Sequence, residues 1–246
     1  MRIAIVSDVH ANLAALRAVL QDAERRQALD AAWSLGDFVG YGPQPNEVLA
    51  SLRGYRLTAV SGNHDLAATG LMDTSDFNED AAAANHWNAA LLTEENATYL
   101  RALADVERSE AIEAVLCHGS LRWPAWEYVI TEEAARAQFE LMDRPWSFVG
   151  HTHIPLVIEE ADGGELLVAR PEDGEAVRLG ERRLILNPGG VGQPRDGDPR
   201  ASYAILDTAE AIVEFHRVRY PIHETQALMQ AAGLPVRLIQ RLERGR

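Results

Sequence analysis

The chain is short of three things. It has a single cysteine, Cys117, in 246 residues, so no disulfide can close within it. That suits a reducing compartment. It lacks long apolar runs. The first, at residues 3–6, ends at Ser7 and Asp8 and is too short for a signal-peptide core. Nowhere do about 18 uncharged apolar residues follow one another, the least that a membrane-spanning helix requires. Positive charge is also scarce: 23 Lys plus Arg against 37 Asp plus Glu leave a formal net charge of −14. Such a chain repels phosphate backbones and anionic lipid surfaces, so long nucleic acid and membranes are not expected partners. A small anionic substrate remains admissible if a local cation receives it. The expectation is a soluble cytoplasmic protein.

What is present is ordinary globular composition, 47% hydrophobic and 24% charged, with enough length for a sizeable core. Residues 2–7 read as a short buried strand, and residues 11–26 place Leu13, Leu16, Val19 and Leu20 on one helix face. Strands are expected at 30–36 and 55–60, with a helix at 46–54 between Pro45 and Gly54. Helices follow over 78–92 and 93–103, with Thr93 as N-cap, then a strand before His118 and a helix from Thr131 to Met142. Residues 146–160 read as two strands around a polar break. From 161 to 220 short strands alternate with Gly, Pro and Asp turns, as in an antiparallel set that completes a second sheet. A helical stretch spans 222–244. With no repeat, low-complexity tract or linker, the simplest account is one α/β domain over 1–246, a two-sheet αββα sandwich with flanking helices. Its βα part is 1–160, its antiparallel strands 161–220 and its C-terminal helices 221–246. That last segment packs either on its own core or against a second copy in a homo-oligomer.

Polar clusters recur at the carboxyl ends of the expected strands, where open α/β sheets bind ligands. Asp8 and His10 follow the first, Asp37 the second, and Asn63, His64 and Asp65 the third. His118 and then His151 and His153 follow later strands. Five of the eight histidines fall in this set. Asp8 and His10, like His151 and His153, are two residues apart, and in extended backbone such residues face the same way. Carboxylate, imidazole and amide without thiolate suit hard-to-borderline divalent metals. Six or seven such groups exceed the need of one tetrahedral zinc and match two cations sharing a carboxylate.

The blocks Asp8-Val-His10, Gly36-Asp37, Gly62-Asn63-His64-Asp65, His118-Gly119 and Gly150-His151-Thr152-His153 resemble, in order, those of the calcineurin-like metallophosphoesterases. Residues 184–207 look like the bacterial phosphodiesterase-like branch, which extends the resemblance to most of the chain. The resemblance implies two divalent ions (Mn, Fe, Zn, Ni or Co). One would be held by Asp8, His10, Asp37 and His153, the other by Asp37, Asn63, His118 and His151. It further implies in-line attack on phosphorus by a bridging hydroxide, with His64 on the phosphate and the leaving group and Asp65 orienting His64. The implied activity is hydrolysis of a phosphodiester or phosphomonoester of small or nucleotide-like substrates. A protein Ser/Thr phosphatase, a dinucleoside polyphosphate hydrolase and a catalytically silent scaffold of the same fold are the alternatives.

Beyond these blocks, Arg122 and Arg195 are the candidate cations for the substrate phosphate, and Tyr41 is a candidate pocket residue. Trp123, Trp126 and Tyr128 form either a stacking wall for a base or core aromatics beneath a loop. The amides of the 187–192 turn are candidate neighbours of the site. Asn12 fits a helix N-cap, and Cys117 fits a buried small hydrophobe.

Overall fold

A computed structural model describes all residues 1–246. The chain opens with alternating strands and helices: β1 (Arg2–Val6), α1 (Leu13–Arg25), β2 (Ala31–Ser34), α2 (Pro45–Arg53) and β3 (Leu57–Ala59). Pro45 starts α2, where its fixed φ and missing N–H cost nothing. Asn12 caps α1 by accepting from the Ala15 amide at 3.1 Å. Three helices follow, α3 (Asn63–Ala68), α4 (Glu79–Leu91) and α5 (Glu94–Arg101), then β4 (Val106–Arg108), β5 (Ala114–Cys117), α6 (Glu132–Leu141) and β6 (Trp146–Phe148). Thr93 and Thr131 cap α5 and α6 as expected. The rest is β7 (Pro155–Glu160), β8 (Leu166–Ala169), β9 (Ala176–Arg178), β10 (Arg183–Pro188), β11 (Ala201–Asp207), β12 (Ile212–Val218), α7 (Ile222–Ala231) and α8 (Val236–Arg241), ending in a 3-10 turn.

Two six-stranded mixed sheets result, in the orders β3-β2-β1-β11-β12-β9 and β4-β5-β6-β10-β7-β8. The layering follows from side-chain alternation along each strand. On β1, Ile3 and Ile5 turn inward to meet Trp33, Leu116, Phe148 and Leu186 between the sheets. Ala4 and Val6 turn outward onto Leu16 and Val19 of α1 and Leu49 of α2. On the far face, Val115 and Cys117 of β5 pack on Phe139 of α6. This is the αββα order. A Leu116→Ala truncation in the central layer would cost about 2–5 kcal/mol.

Several expectations need correction. The strands after residue 160 do not all complete the second sheet. β9, β11 and β12 join the first sheet, and β8 and β10 join β4–β7. Each sheet mixes parallel and antiparallel pairs, and the later chain supplies the partners of early edges: β11 joins β1 antiparallel, and β10 joins β6 in parallel and β7 antiparallel. The helix α3 begins on Asn63 itself, and β4 pairs with β5; neither was legible from periodicity in elements this short. The final helical stretch is broken between α7 and α8, where Gly233 has φ +67° and Pro235 precedes the new helix. Both helices pack on the chain's own core: Met229, Leu234 and Leu238 meet Tyr41, Ala81 and Ala84. No helix is long and apolar enough to cross a membrane.

Candidate metal centre

Asp8, His10, Asp37, Asn63, His64, Asp65, His118, His151 and His153 converge from five loops, and all are buried. Their convergence does not come from extended backbone. Asp8, His10, Asp37, His151 and His153 all have left-handed conformations, with φ between 49° and 64°. Each such conformation costs about 1–3 kcal/mol in a non-glycine residue and persists only where neighbours over-determine it. Backbone bonds between the loops do so: the His10 amide donates to the Asp37 carbonyl at 2.9 Å, Ala11 to Phe38 at 2.8 Å, and Gly150 to His118 at 2.8 Å.

Four of the five histidines, all but His64, are anchored through one ring nitrogen on a backbone carbonyl. His10 Nδ1 donates to Val39 (2.9 Å), His118 Nδ1 to Leu35 (2.7 Å), His153 Nδ1 to Gln193 (2.6 Å) and His151 Nε2 to Trp126 (3.0 Å). A carbonyl only accepts, so these nitrogens carry the proton and the opposite nitrogen of each neutral ring is bare. The bare nitrogens then face one another: His10 Nε2 lies 3.2 Å from His153 Nε2, and His118 Nε2 lies 3.0 Å from His151 Nδ1. The carboxylates are arranged likewise. Asp8 Oδ2 accepts from Ser7 Oγ and the His151 amide, and Asp37 Oδ1 accepts from the His64 amide. Asp8 Oδ1, Asp37 Oδ2 and Asn63 Oδ1 are buried with no hydrogen-bond donor. They sit beside the bare nitrogens, Asp8 Oδ1 at 3.2 Å from His153 Nε2 and Asp37 Oδ2 at 3.3 Å from His118 Nε2. Lone pairs pointed at lone pairs in a buried space repel unless cations lie among them. The donors group as Asp8, His10, His153, as His10, Asp37, His64 and as Asp37, His118, His151, a donor chemistry that fits divalent ions.

Without cations the site draws protons. Burial lowers His118, but the Asp37 carboxylate overrides it and raises His118 to about 9. Burial raises Asp37, but His118, His64 and His10 outweigh it and hold it well below the usual carboxylate range. Burial pushes Asp8 up to about 6 and drives His10, His151 and His153 well down.

His64 and Asp65 part company. The Asp65 carboxylate accepts from the amides of Asp37 (2.8 Å), Gly62 (3.0 Å) and Val39 (3.2 Å) and makes no bond to the His64 ring. It ties the Asp37 loop to the first turn of α3. The side chain on His64 is Asn85 of α4, whose Nδ2 donates to the His64 carbonyl at 2.9 Å and lies 3.3 Å from His64 Nδ1. An amide N–H facing Nδ1 makes that nitrogen an acceptor, so the proton sits on Nε2. Burial lowers His64 to about 4, so the ring is neutral. Sequence reasoning missed Asn85. Its only signal was an asparagine in an alanine-rich helix, beside His86, which is exposed.

A cavity of about 380 Å³ opens over this centre, lined by Asn63, His64, Phe77, Trp126, Tyr128 and Arg195 among others. Arg195 Nη2 is 3.2 Å from the Tyr41 hydroxyl and 3.1 Å from Gln193 Oε1, and no carboxylate neutralises it. Tyr41 is buried against His10 and His64, each ring 4.5 Å away. Arg122 does not line the cavity: Glu127 and Glu133 hold its guanidinium. The aromatics are not core. Trp123, Trp126 and Tyr128 are 58%, 37% and 44% exposed, and Tyr128 stacks on His151 at 3.9 Å. The 187–192 turn packs on the centre from behind, with the Val191 and Gly192 amides spent on the carbonyls of Ser7 and Asp8. Asn12 is a structural cap, and burial pushes the Cys117 thiol up to about 12.

Comparison with known proteins agrees with this geometry. The calcineurin-like phosphoesterase superfamily domain matches residues 1–211. The crystal structure of a metallophosphoesterase from Sphaerobacter thermophilus is 46% identical, with a TM-score of 0.89 over 100% of this chain and 99% of that one. An uncharacterised protein of Methanocaldococcus jannaschii is 36% identical over 99% of this chain and 98% of its own length. A symmetrical bis(5'-nucleosyl)-tetraphosphatase of Proteus mirabilis is 28% identical, and the match covers 54% of this chain and 49% of that protein.

Proposed function

Because the chain belongs to the calcineurin-like phosphoesterase superfamily and is a phosphoester hydrolase, we propose that it hydrolyses small, nucleotide-like phosphodiesters or phosphomonoesters at a dinuclear centre. The observation that carries this reading is the two pairs of facing bare nitrogens beside unpartnered carboxylate oxygens. Asp8, His10, Asp37 and His153 would hold one divalent ion and Asp37, Asn63, His118 and His151 the other, with Asp37 shared. When bound, the two ions would supply Lewis acidity and lower the pKa of a water, the usual contribution of such pairs in phosphoryl transfer.

The chain's own residues do the rest. His64, neutral with its proton on Nε2, donates a hydrogen bond through Nε2–H to a phosphoryl or leaving-group oxygen, and Asn85 keeps the tautomer that makes this donation available. Asp65 is a positioning residue that fixes the Asp37 loop against α3. Arg195, free of carboxylates and braced by Tyr41, receives phosphate charge. Trp126, Tyr128 and Phe77 offer flat faces to a base, worth about 1–3 kcal/mol per stacked ring. Residues 1–246 act as one unit in this scheme. The second reading is hydrolysis of a dinucleoside polyphosphate, favoured by the Proteus mirabilis relative.

The test is a panel with manganese: bis-p-nitrophenyl phosphate, p-nitrophenyl phosphate, diadenosine tetraphosphate and a phosphopeptide, with metal content measured in parallel. Turnover of the small esters with two ions per chain supports the proposal. Turnover of the phosphopeptide alone refutes the substrate class.

A further inference from the structure

Every one of the 23 basic residues in this acidic chain is an arginine. Four of them stand close together near the end: Arg237, Arg241, Arg244 and Arg246. The first three follow an i, i+4, i+7 spacing, so α8 and the 3-10 turn after it present them as one stripe. The apolar residues of the same segment, Leu238 and Leu242, pack on Tyr41, Ala81 and Ala84 beside the catalytic cavity. Apolar packing on one side thus fixes the arginine stripe on the other.

These arginines line a second cavity of about 740 Å³, closed on its far side by Asn78, Glu79 and Asp80 at the start of α4. Asn78 lines the catalytic cavity as well, so the two cavities are neighbours that share this wall residue. The charges do not cancel. Asp80 lies 3.9 Å from Arg237, whereas Arg241, Arg244 and Arg246 have no Asp or Glu carboxylate within salt-bridge distance. Arg241 is half-buried, and its Nε donates to the terminal main-chain oxygen of Arg246, which takes up part of its charge. Burial and the neighbouring Arg195 guanidinium pull it below the ordinary arginine value. Arg244 and Arg246, whose guanidinium groups have no carboxylate partner in a groove on a chain of net charge −14, make a local receptor for phosphate-like anions, which arginines bind through paired N–H donors.

We propose that the groove of Arg237, Arg241, Arg244 and Arg246 is a second anion subsite, which receives negative charge carried by the substrate beyond the phosphate under attack. The preferred substrates are then extended polyanions with several phosphoryl groups rather than compact monoesters. This rests on the hydrolase reading above and selects within it.

The test has a binding arm and a kinetic arm. Inorganic tripolyphosphate is titrated calorimetrically into chelator-treated protein at low and high salt. Wild type should bind, with affinity falling as salt rises. The exposed single variant Arg244→Gln should lose about tenfold and Arg241→Gln/Arg244→Gln more, as for loss of charge-assisted bonds. In manganese-loaded protein, the kcat/KM ratio for adenosine 5'-tetraphosphate over p-nitrophenyl phosphate should fall about tenfold or more in the same variants. Tripolyphosphate binding that is absent, or as tight in Arg244→Gln as in wild type, overturns the subsite, as does an unchanged ratio. Failure of wild type to hydrolyse either ester would instead refute the hydrolase reading and leave the binding arm to judge the groove by itself.

Discussion

Gly62 offers the sharpest test of how the centre is built. Its backbone angles, φ −105° and ψ 170°, are open to any residue, so no conformational reason demands glycine there. The reason is space. A Cβ at Gly62 would lie 2.5 Å from the Asp37 amide nitrogen and 2.8 Å from Asp37 Cγ, and closer still to Oδ1. Two of those atoms are backbone or carboxylate held by other bonds: the Asp37 amide donates to Asp65, and Oδ1 accepts from His64. Gly62→Ala must therefore push the Asp37 loop away. Overpacking of this kind costs about 1–3 kcal/mol of stability. Displacing Asp37, the proposed shared ligand, should also weaken metal binding about 10–100-fold, the range seen when groups supporting a metal site are lost. Thermal unfolding and manganese titration of Gly62→Ala check both figures. Gly70→Ala is the control. Gly70 has φ +76° and nothing within 4 Å of a built Cβ, so it should lose about 1 kcal/mol of stability and no metal affinity. A Gly62→Ala protein that binds two manganese ions as tightly as wild type would refute the reasoning.

Three further outcomes are expected. Asn85→Asp keeps shape but replaces the N–H facing His64 Nδ1 with an acceptor, so the ring proton should move to Nδ1. Steady-state kinetics should then show kcat down about 100-fold with KM and manganese affinity little changed, and equal kcat would refute the tautomer assignment. Arg195→Ala should raise KM for a phosphomonoester about tenfold or more, whereas Arg122→Ala, whose guanidinium is held by Glu127 and Glu133, should leave kinetics unchanged and cost a little stability. Asp22 is raised by burial but lowered more by Arg26, Tyr203 and Arg25, to about 2. A depressed carboxylate adds stability that is complete above its unfolded value of about 4 and lost as pH falls through about 2. Chemical denaturation should show Asp22→Asn weaker than wild type by about 1 kcal/mol at pH 7, after screening for its partial exposure, with the difference closing near pH 2.

The sequence by itself determined which polar side chains gather at the centre and the order of the early elements. These side chains lie in short contiguous blocks behind buried strands, and covalent neighbours must arrive together wherever the strand ends. For the same reason the convergence of Asp8 with His10 was legible, although left-handed turns produce it rather than extended chain. What only the tertiary structure decided is which partner each polar side chain meets. Arg122 and Arg195 read alike in sequence, but Glu127 and Glu133 fold beside the first, while Tyr41 and Gln193 fold beside the second. Asp65 follows His64 directly, yet its carboxylate goes to three backbone amides, and Asn85, 21 residues on, reaches the ring instead. The late strands divided between both sheets because strand pairing is chosen by which edges the packed layers leave open. Side-chain type is a local property; the partner that satisfies a buried donor, acceptor or charge is selected by the whole packed chain.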